Sequence, residues 1–378
     1  MNKITKKIGI ISDTFLPQIG GGEIHVRNLA RFLMNEGFFV EIFTNTDGNE
    51  EDNGISIIRS VCHGRGIFCV VSDIKNLFRF IIRFGVIHSH YTFYLSFLSS
   101  IIAKICHRRF VVTLHGLGTL DSSVNKKFRR RIYRYIAFKF ADMVIATSDE
   151  MATVARRFVP EEKIVVIPNG VDTKEFKREE KRSSATEIFV LSMRRLNPKN
   201  GVQYLIEAAP RIIGEVPNIR FLIAGKDKLE NYLKKRVSDL GIGDFVEFIG
   251  EVNNEDTIVF YRKADIVVFP SSAESTSIAC LESMSMGKAV IASALEVFQE
   301  MIGNGRGVLV HLFDRQTSDY DAPLTLPDEK IKALADAVIV LAKDSDLRMK
   351  VGDNAHNFVK AQYDWRVLIK KISATYLQ

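Results

Sequence analysis

Residues Ile266 to Ala292 read IVVFPSSAESTSIACLESMSMGKAVIA. Ile266 to Phe269 is a short run of apolar residues of the length and branching of a buried strand. Pro270 and the serines after it end that run and open a polar loop holding Glu274. A helical segment carrying Glu282 follows, Gly287 closes it, and Ala289 to Ala292 is a second apolar run. Strand, loop, helix and strand make one βαβ unit. Strands that are apolar on both faces belong to a parallel sheet covered by helices on either side.

The same alternation runs outward in both directions. Toward the N-terminus, strands are expected at Ile8–Ile11, Phe39–Thr44, Val86–His88, Phe110–Leu114, Met143–Ala146 and Ile164–Ile167, with a helix over Glu23–Glu36. Asp172 to Glu187 is polar and charged and reads as a linker. Beyond it come strands at Ile188–Met193, Arg220–Ala224, Val246–Ile249, Ile266–Phe269, Ala289–Ala292 and Gly307–Val310. The fold class is therefore α/β, with two doubly wound, Rossmann-like parallel-sheet domains facing a cleft. The expected division is 1–172, a linker over 173–187, and 188–362. In such folds ligands bind beyond the carboxyl ends of the strands.

Hydrophobic residues make up 46% of the 378 residues and charged residues 26%, which places the chain among soluble globular proteins. The net charge of +7 favours an anionic partner: nucleic acid, acidic lipid or a phosphorylated small molecule. The four cysteines, Cys62, Cys69, Cys106 and Cys280, lack disulfide or zinc spacing and read as free thiols. The longest greasy stretch, Tyr91 to Cys106, is shorter than the ~20 residues of a membrane span. The expected location is cytoplasmic, with the inner membrane face as a second site of residence.

Several strand tips carry groups suited to an anionic ligand. Gly20-Gly21-Gly22 opens a helix, where backbone N–H groups meet an anion or simply form a tight turn. Thr113-Leu114-His115-Gly116 ends a strand. His88 and His90 end another and read as ordinary surface histidines. Arg194-Arg195-Leu196-Asn197-Pro198-Lys199-Asn200-Gly201 follows the first strand of the second half, and Gly225-Lys226-Asp227 follows the next. Two basic loops at adjacent strand tips form an anion clamp. Glu274 and Glu282, eight residues apart, would lie about 12 Å apart along a helix axis, spanning a hexose and a ribose with a diphosphate between.

Glu274-x7-Glu282 followed by Gly287-Lys288-Ala289-Val290-Ile291-Ala292 resembles the signature of the family 4 retaining glycosyltransferases, glycosyl transferases group 1. Gly20 to Glu23, Thr113 to Gly116, Ile167 to Asp172 with Phe176, and Tyr363-Asp364-Trp365 resemble further segments of that family in the same order. The resemblance covers nearly the whole chain. It implies a GT-B fold, with the C-terminal helix 363–378 packing back on the N-terminal acceptor-side domain and a donor domain in the C-terminal half. It implies that Arg195 and Lys199 hold the donor diphosphate, that Glu274 holds sugar hydroxyls, that Glu282 binds the ribose and that His115 lies by the donor sugar. Gly21, Gly22, Arg194, Asn200, Gly225, Lys226, Thr276, Ser277 and Ile278 complete the expected donor site. Two departures stand out: Thr276 and Ser277 replace the family's frequent Phe-Gly, and the position five after Arg195 is Asn200 rather than Lys. Either Arg195 or Arg194 pairs with Lys199. No cofactor or metal is expected beyond a nucleotide diphosphate sugar as co-substrate. Of the Asp-x-Asp triplets, Asp319/Asp321 and Asp344/Asp346, the second reads as a helix cap.

Lys126 to Arg134 carries six positive charges and no acid, with Phe128, Ile132 and Tyr135 at helical spacing. Two readings stand: a helix lying on an anionic membrane near a lipid-linked hydroxyl acceptor, or a helix packed by its apolar stripe with a solvated basic face. Rival functions are a sugar-nucleotide epimerase of the same shape, a phosphorylase or synthase on soluble sugars, and a nucleic-acid-binding protein. No nucleic-acid-binding motif is visible, so a nucleic-acid partner is not expected.

Overall fold

The computed structural model describes residues 6–18, 20–48, 52, 54–60, 67–90, 93–115, 128–178, 187–253, 256–274, 276–314 and 322–377, with the backbone alone for 67–69 and 128–130. The chain divides into two compact units, residues 1–170 with 365–378, and residues 171–364.

In unit 1, β1 (Lys7–Ser12), α1 (Gly21–Asn35), β2 (Phe39–Thr44), β3 (Ser56–Arg59), α2 (Ile67–Ile81), β4 (Val86–His90), α3 (Tyr94–Ile105), β5 (Arg109–Leu114), α4 (Phe128–Phe140), β6 (Met143–Ala146), α5 (Asp149–Ala155) and β7 (Ile164–Val166) follow in order. The strands form one seven-stranded sheet, β3-β2-β1-β4-β5-β6-β7, with parallel neighbours throughout. Side chains alternate between its faces. Ile8, Ile10, Val86 and Val111 join one core with α1, while Ile11, Ile87, Phe110 and Val112 join another under α2 and α3.

Unit 2 repeats the plan. β8 (Ile188–Met193), α6 (Val202–Glu215), β9 (Ile219–Ala224), α7 (Glu230–Asp239), β10 (Val246–Gly250), α8 (Thr257–Lys263), β11 (Ile266–Phe269), α9 (Ile278–Ser285), β12 (Ala289–Ser293), α10 (Glu296–Ile302), β13 (Val308–Val310), α11 (Asp328–Lys343) and α12 (Ser345–Gln362) form it. Its six-stranded parallel sheet has the order β10-β9-β8-β11-β12-β13. In both sheets the strand order reverses beside the first strand of the unit, between β1 and β4 and between β8 and β11. That is where doubly wound sheets bind ligands.

The last helix, α13 (Trp365–Thr375), belongs to unit 1. Trp365, Leu368, Ile369, Ile372 and Tyr376 are buried in the core containing α1, and Trp365 stacks on Phe32.

Two differences from the sequence reading concern the backbone. β3 was not expected, because this edge strand is only half-buried and its apolar residues lie in a polar stretch. The linker assignment for 173–187 is corrected over its first half. Phe176 enters the core of unit 2, its carbonyl accepts from Ser285 Oγ at 2.6 Å, and Thr173 donates to Asp364. A single buried aromatic anchors a segment whose composition is that of a tether. Residues 179–186 lie outside the described residues.

Deleting a fully buried aromatic costs about 3–5 kcal/mol. Trp365→Ala is expected to destabilise unit 1 by that amount in urea unfolding followed by a probe in unit 1. A loss below about 1 kcal/mol would show that α13 is dispensable to this core.

Candidate functional site

Beyond the carboxyl end of β8 the chain presents two adjacent arginines with different fates. The Arg194 side chain is only 9% exposed. Its guanidinium pairs with the Glu274 carboxylate, donates to Asn200 Oδ1 at 2.8 Å and to Ser277 Oγ at 3.1 Å, and packs over the Phe269 ring. A cation this buried needs paired and hydrogen-bonded partners. Arg195 is exposed and Lys199 half-buried. The Asn200 amide in turn donates to the Arg195 carbonyl at 2.7 Å, which fixes the turn between them.

Two glycines let these loops approach. Gly201 has φ +73°, and a Cβ there would sit 1.9 Å from the Pro270 carbonyl oxygen. Gly225 has φ +134°, and a Cβ would meet the Arg194 carbonyl oxygen at the same distance. Gly225 therefore allows the tips of β8 and β9 to meet. The Lys226 carbonyl accepts from the Leu196 N–H at 3.3 Å, continuing that contact.

Ser277 caps α9, accepting from the Cys280 N–H at 3.3 Å, so Thr276, Ser277 and Ile278 lie at the helix N-terminus. Glu274 lies just ahead of the helix and Glu282 within it, as the spacing predicts. Glu282 is 5% exposed and accepts from the Tyr261 hydroxyl at 2.9 Å. Burial raises its carboxyl to about 7, against the lowering effect of the Tyr261 hydrogen bond.

In unit 1 the corresponding place is filled by imidazoles. His88 and His90 are fully buried, which corrects their reading as surface residues: β4 is buried along its whole length, to its last residue. His88 bridges the Tyr376 hydroxyl and Thr113 Oγ1, each at 2.7 Å. His90 Nδ1 lies 2.7 Å from His115 Nε2. His25, from α1, stands 4.6 Å centroid to centroid from His115 and 5.0 Å from Trp365. Burial holds all four histidines below the usual range, His25 and His88 down to about 3. Asp13, at the tip of β1, is raised by burial to about 7. Neither His25 nor Asp13 stood out in the sequence, since each is a single polar residue near a glycine-rich turn. Gly21 and Gly22 open α1, whose N-cap is Gly20.

The basic helix α4 is packed differently from its apolar stripe. Arg134 is 8% exposed and lies over the Phe158 ring at 5.0 Å, so it does not belong to a solvated basic face. Ile132 and Tyr135 are exposed instead, at 38% and 57%. Ala137 and Phe138 supply the packing, because the helix turns its later residues to the core. Lys126, Lys127, Gly116 and Asp319/Asp321 lie outside the described residues, as do the side chains of Phe128, Arg129 and Arg130. Asp344 caps α12 by accepting from the Leu347 N–H at 2.8 Å. Cys280 is a buried free thiol and Cys106 a half-buried one.

The family profile described as Glycosyltransferase Family 4 matches residues 19–175, and that described as Glycosyl transferases group 1 matches residues 173–358. The chain belongs to the group 1 glycosyltransferases. An uncharacterized glycosyltransferase of Methanocaldococcus jannaschii is 27% identical over 98% of this glycosyltransferase and 97% of its own length. A phosphatidyl-myo-inositol mannosyltransferase of Mycobacterium tuberculosis is 29% identical over 78% of this chain and 73% of its own. Among solved structures, Anabaena HepE in complex with UDP and glucose superposes with a TM-score of 0.77 at 20% identity, covering 98% of both chains. The fold of this glycosyltransferase is GT-B.

The raised carboxyl of Glu282 has a consequence for stability. Between its ordinary value of 4.5 and about 7 the folded chain keeps a proton that the unfolded chain has lost. Stability therefore falls as pH rises through that window. Glu282→Gln carries no such charge, so its stability relative to wild type is expected to rise by on the order of 2–3 kcal/mol from acid to neutral pH. Denaturant titrations at both ends of the window measure it, and a difference independent of pH would contradict the assignment.

Proposed function

We propose that this glycosyltransferase moves a sugar, with retention at the anomeric carbon, from a uridine or guanosine diphosphate sugar to a hydroxyl on a lipid-linked acceptor. The observation that carries the donor side is the network of Arg194 with Glu274, Asn200 and Ser277, built where β8 and β11 diverge. It ties a carboxylate, a helix N-terminus and a basic loop into one anion seat. In this reading the diphosphate lies against the start of α9, with Arg195 and Lys199 offsetting its charge. Glu274, held in place by Arg194, accepts from sugar hydroxyls, and Glu282 accepts from the ribose. The bond between the anomeric carbon and the diphosphate oxygen breaks through an oxocarbenium-like transition state, stabilised mainly at the leaving group. The basic pair and the helix terminus do this work without a divalent ion. His115, neutral through burial, serves the donor sugar as a hydrogen-bonding group rather than a charge.

The donor assignment is tested by thermal shift with millimolar UDP, GDP and ADP sugars in the presence of EDTA; no shift with any of them would remove it. Glu274→Gln is expected to lower transfer about a hundredfold or more while nucleoside diphosphate affinity stays within about threefold. Equal losses of both would place Glu274 at the nucleotide instead. Transfer is expected to persist in EDTA; abolition by EDTA and rescue by manganese or magnesium would overturn the metal-free reading.

Support for a membrane-bound acceptor comes from the helices on one side of unit 1. Val71, Ile74, Phe78 and Ile82, along and just past α2, form an exposed apolar stripe, with Lys75 and Arg79 exposed beside it and Arg83 paired with Glu41. α3 lies between α2 and α4, and α4 adds Arg131, Ile132, Tyr135 and Lys139 to the exposed surface. Apolar residues flanked by cations suit the boundary of an anionic bilayer, each cation contributing on the order of 1 kcal/mol. The mycobacterial relative is named for a phosphatidylinositol acceptor. No helix among the described residues is long and apolar enough to cross a membrane. The protein is expected to sediment with phosphatidylglycerol vesicles at low salt and to release at high salt. Replacing Ile74 and Phe78 by Asn and Arg131 by Gln should abolish sedimentation and leave donor binding intact. Unchanged partition of this variant, or no binding by wild type, would make the acceptor soluble.

A further inference from the structure

Tyr261, on α8, is fully buried in a core of unit 2 that includes Leu191, Val267 and Phe269, and its ring meets Phe176 edge to face at 6.2 Å. A phenylalanine would fill that place without a hydroxyl, and a buried hydroxyl costs free energy unless it is bonded. Two acceptors on α9 lie in reach: Glu282 Oε2 at 2.9 Å and the Ala279 carbonyl at 3.2 Å. The hydroxyl has a single proton to give. The Ala279 carbonyl already accepts from Ser283 Oγ at 2.7 Å, whereas the carboxylate offers the shorter and charge-assisted bond. The proton therefore goes to Glu282. Burial pushes the Tyr261 hydroxyl well above its ordinary value, so it stays a neutral donor.

This bond divides the carboxylate. Oε2 is held by Tyr261, while Oε1, which is not sealed from solvent, makes no hydrogen bond among the described residues. A glutamate side chain left to itself samples many rotamers, and a ligand that fixes one of them binds more weakly for it. Anchoring one oxygen to a core residue removes that loss before a ligand arrives. It leaves the other oxygen in a set place, ready to accept.

On the reading that Glu282 accepts from the ribose, we propose that Tyr261 is a positioning residue for ribose recognition, fixing Glu282 through Oε2 so that Oε1 accepts from a ribose hydroxyl of the donor nucleotide. Tyr261, buried in the core, does not touch the ligand and acts only through Glu282. Its effect is on specificity: a site built to accept from a hydroxyl rejects the analogue that lacks it, because the acceptor is then left without a partner.

Isothermal titration of the full chain with UDP and GDP, and with their 2′-deoxy and 3′-deoxy forms, reads this preference directly. Wild type is expected to favour the ribonucleotide over one of the deoxy forms by about ten- to a hundredfold, the range of a hydrogen bond to a charged group. Tyr261→Phe keeps the ring in the core and removes only the hydroxyl. In this variant the preference should fall below about threefold, while the same deoxy form binds within about threefold of wild type. In a Glu282→Ala background, adding Tyr261→Phe should change the preference no further, because the two side chains act as one unit. If wild type binds neither UDP nor GDP, or binds ribose and deoxyribose forms alike, the ribose reading of Glu282 falls and the role of Tyr261 falls with it. A wild-type preference that Tyr261→Phe retains, or equal weakening of both forms in that variant, overturns the proposal alone and leaves Glu282 at the ribose.

Discussion

A nearly buried guanidinium at the tip of β8 constrains everything around it. Arg194 can sit there only because Glu274, Asn200 and Ser277 together compensate it. Removing one partner of such a pair is far more damaging than its absence from the surface would be, because the remaining charge stays out of water. The network joins the basic turn, the loop after β11 and the cap of α9 into one rigid unit. It also holds the Glu274 side chain in one direction. The two close backbone approaches at Gly201 and Gly225 follow from the same demand, since the loops must touch for the charge to be enclosed.

The two units share one topology and fill the same place in it with opposite chemistry. In unit 2 the switch point beside β8 holds cations, a carboxylate and a helix N-terminus. In unit 1 the switch point beside β1 holds neutral imidazoles and a carboxyl raised to about 7, all removed from water. On the proposed function the enzyme would handle both a charged leaving group and a neutral sugar. The charged tip would suit the first, and His115 in its neutral state the second. Neither assignment follows from the fold, which many unrelated functions share.

Much of this was legible in the sequence. Continuous apolar runs such as Met143 to Ala146 and Ile266 to Phe269 mark central parallel strands because both faces are buried, and those elements match residue for residue. β3 escaped because an edge strand needs only one buried face. The order of Glu274, the cap and Glu282 was readable because all three lie on one continuous segment. Which of Arg194 and Arg195 turns inward was not, because adjacent residues at a strand end differ only in the phase of the last pleat. The imidazole cluster was invisible for a different reason: its members lie on three elements, and only the crossover order of the sheet brings them together. Arg134 was misread because a helix of aromatic and basic residues offers two amphipathic faces, and packing against Phe158 selects between them.

In the proposed donor site the basic residues after β8, exposed Arg195 and half-buried Lys199, seat the diphosphate. Isothermal titration of UDP against UMP, or GDP against GMP, on wild type, Arg195→Ala and Lys199→Ala isolates the energy of the second phosphate. Wild type is expected to prefer the diphosphate by at least about tenfold, equivalent to about 1.4 kcal/mol, and the preference to collapse in the variants while monophosphate affinity hardly changes. A diphosphate preference that survives both substitutions would contradict it.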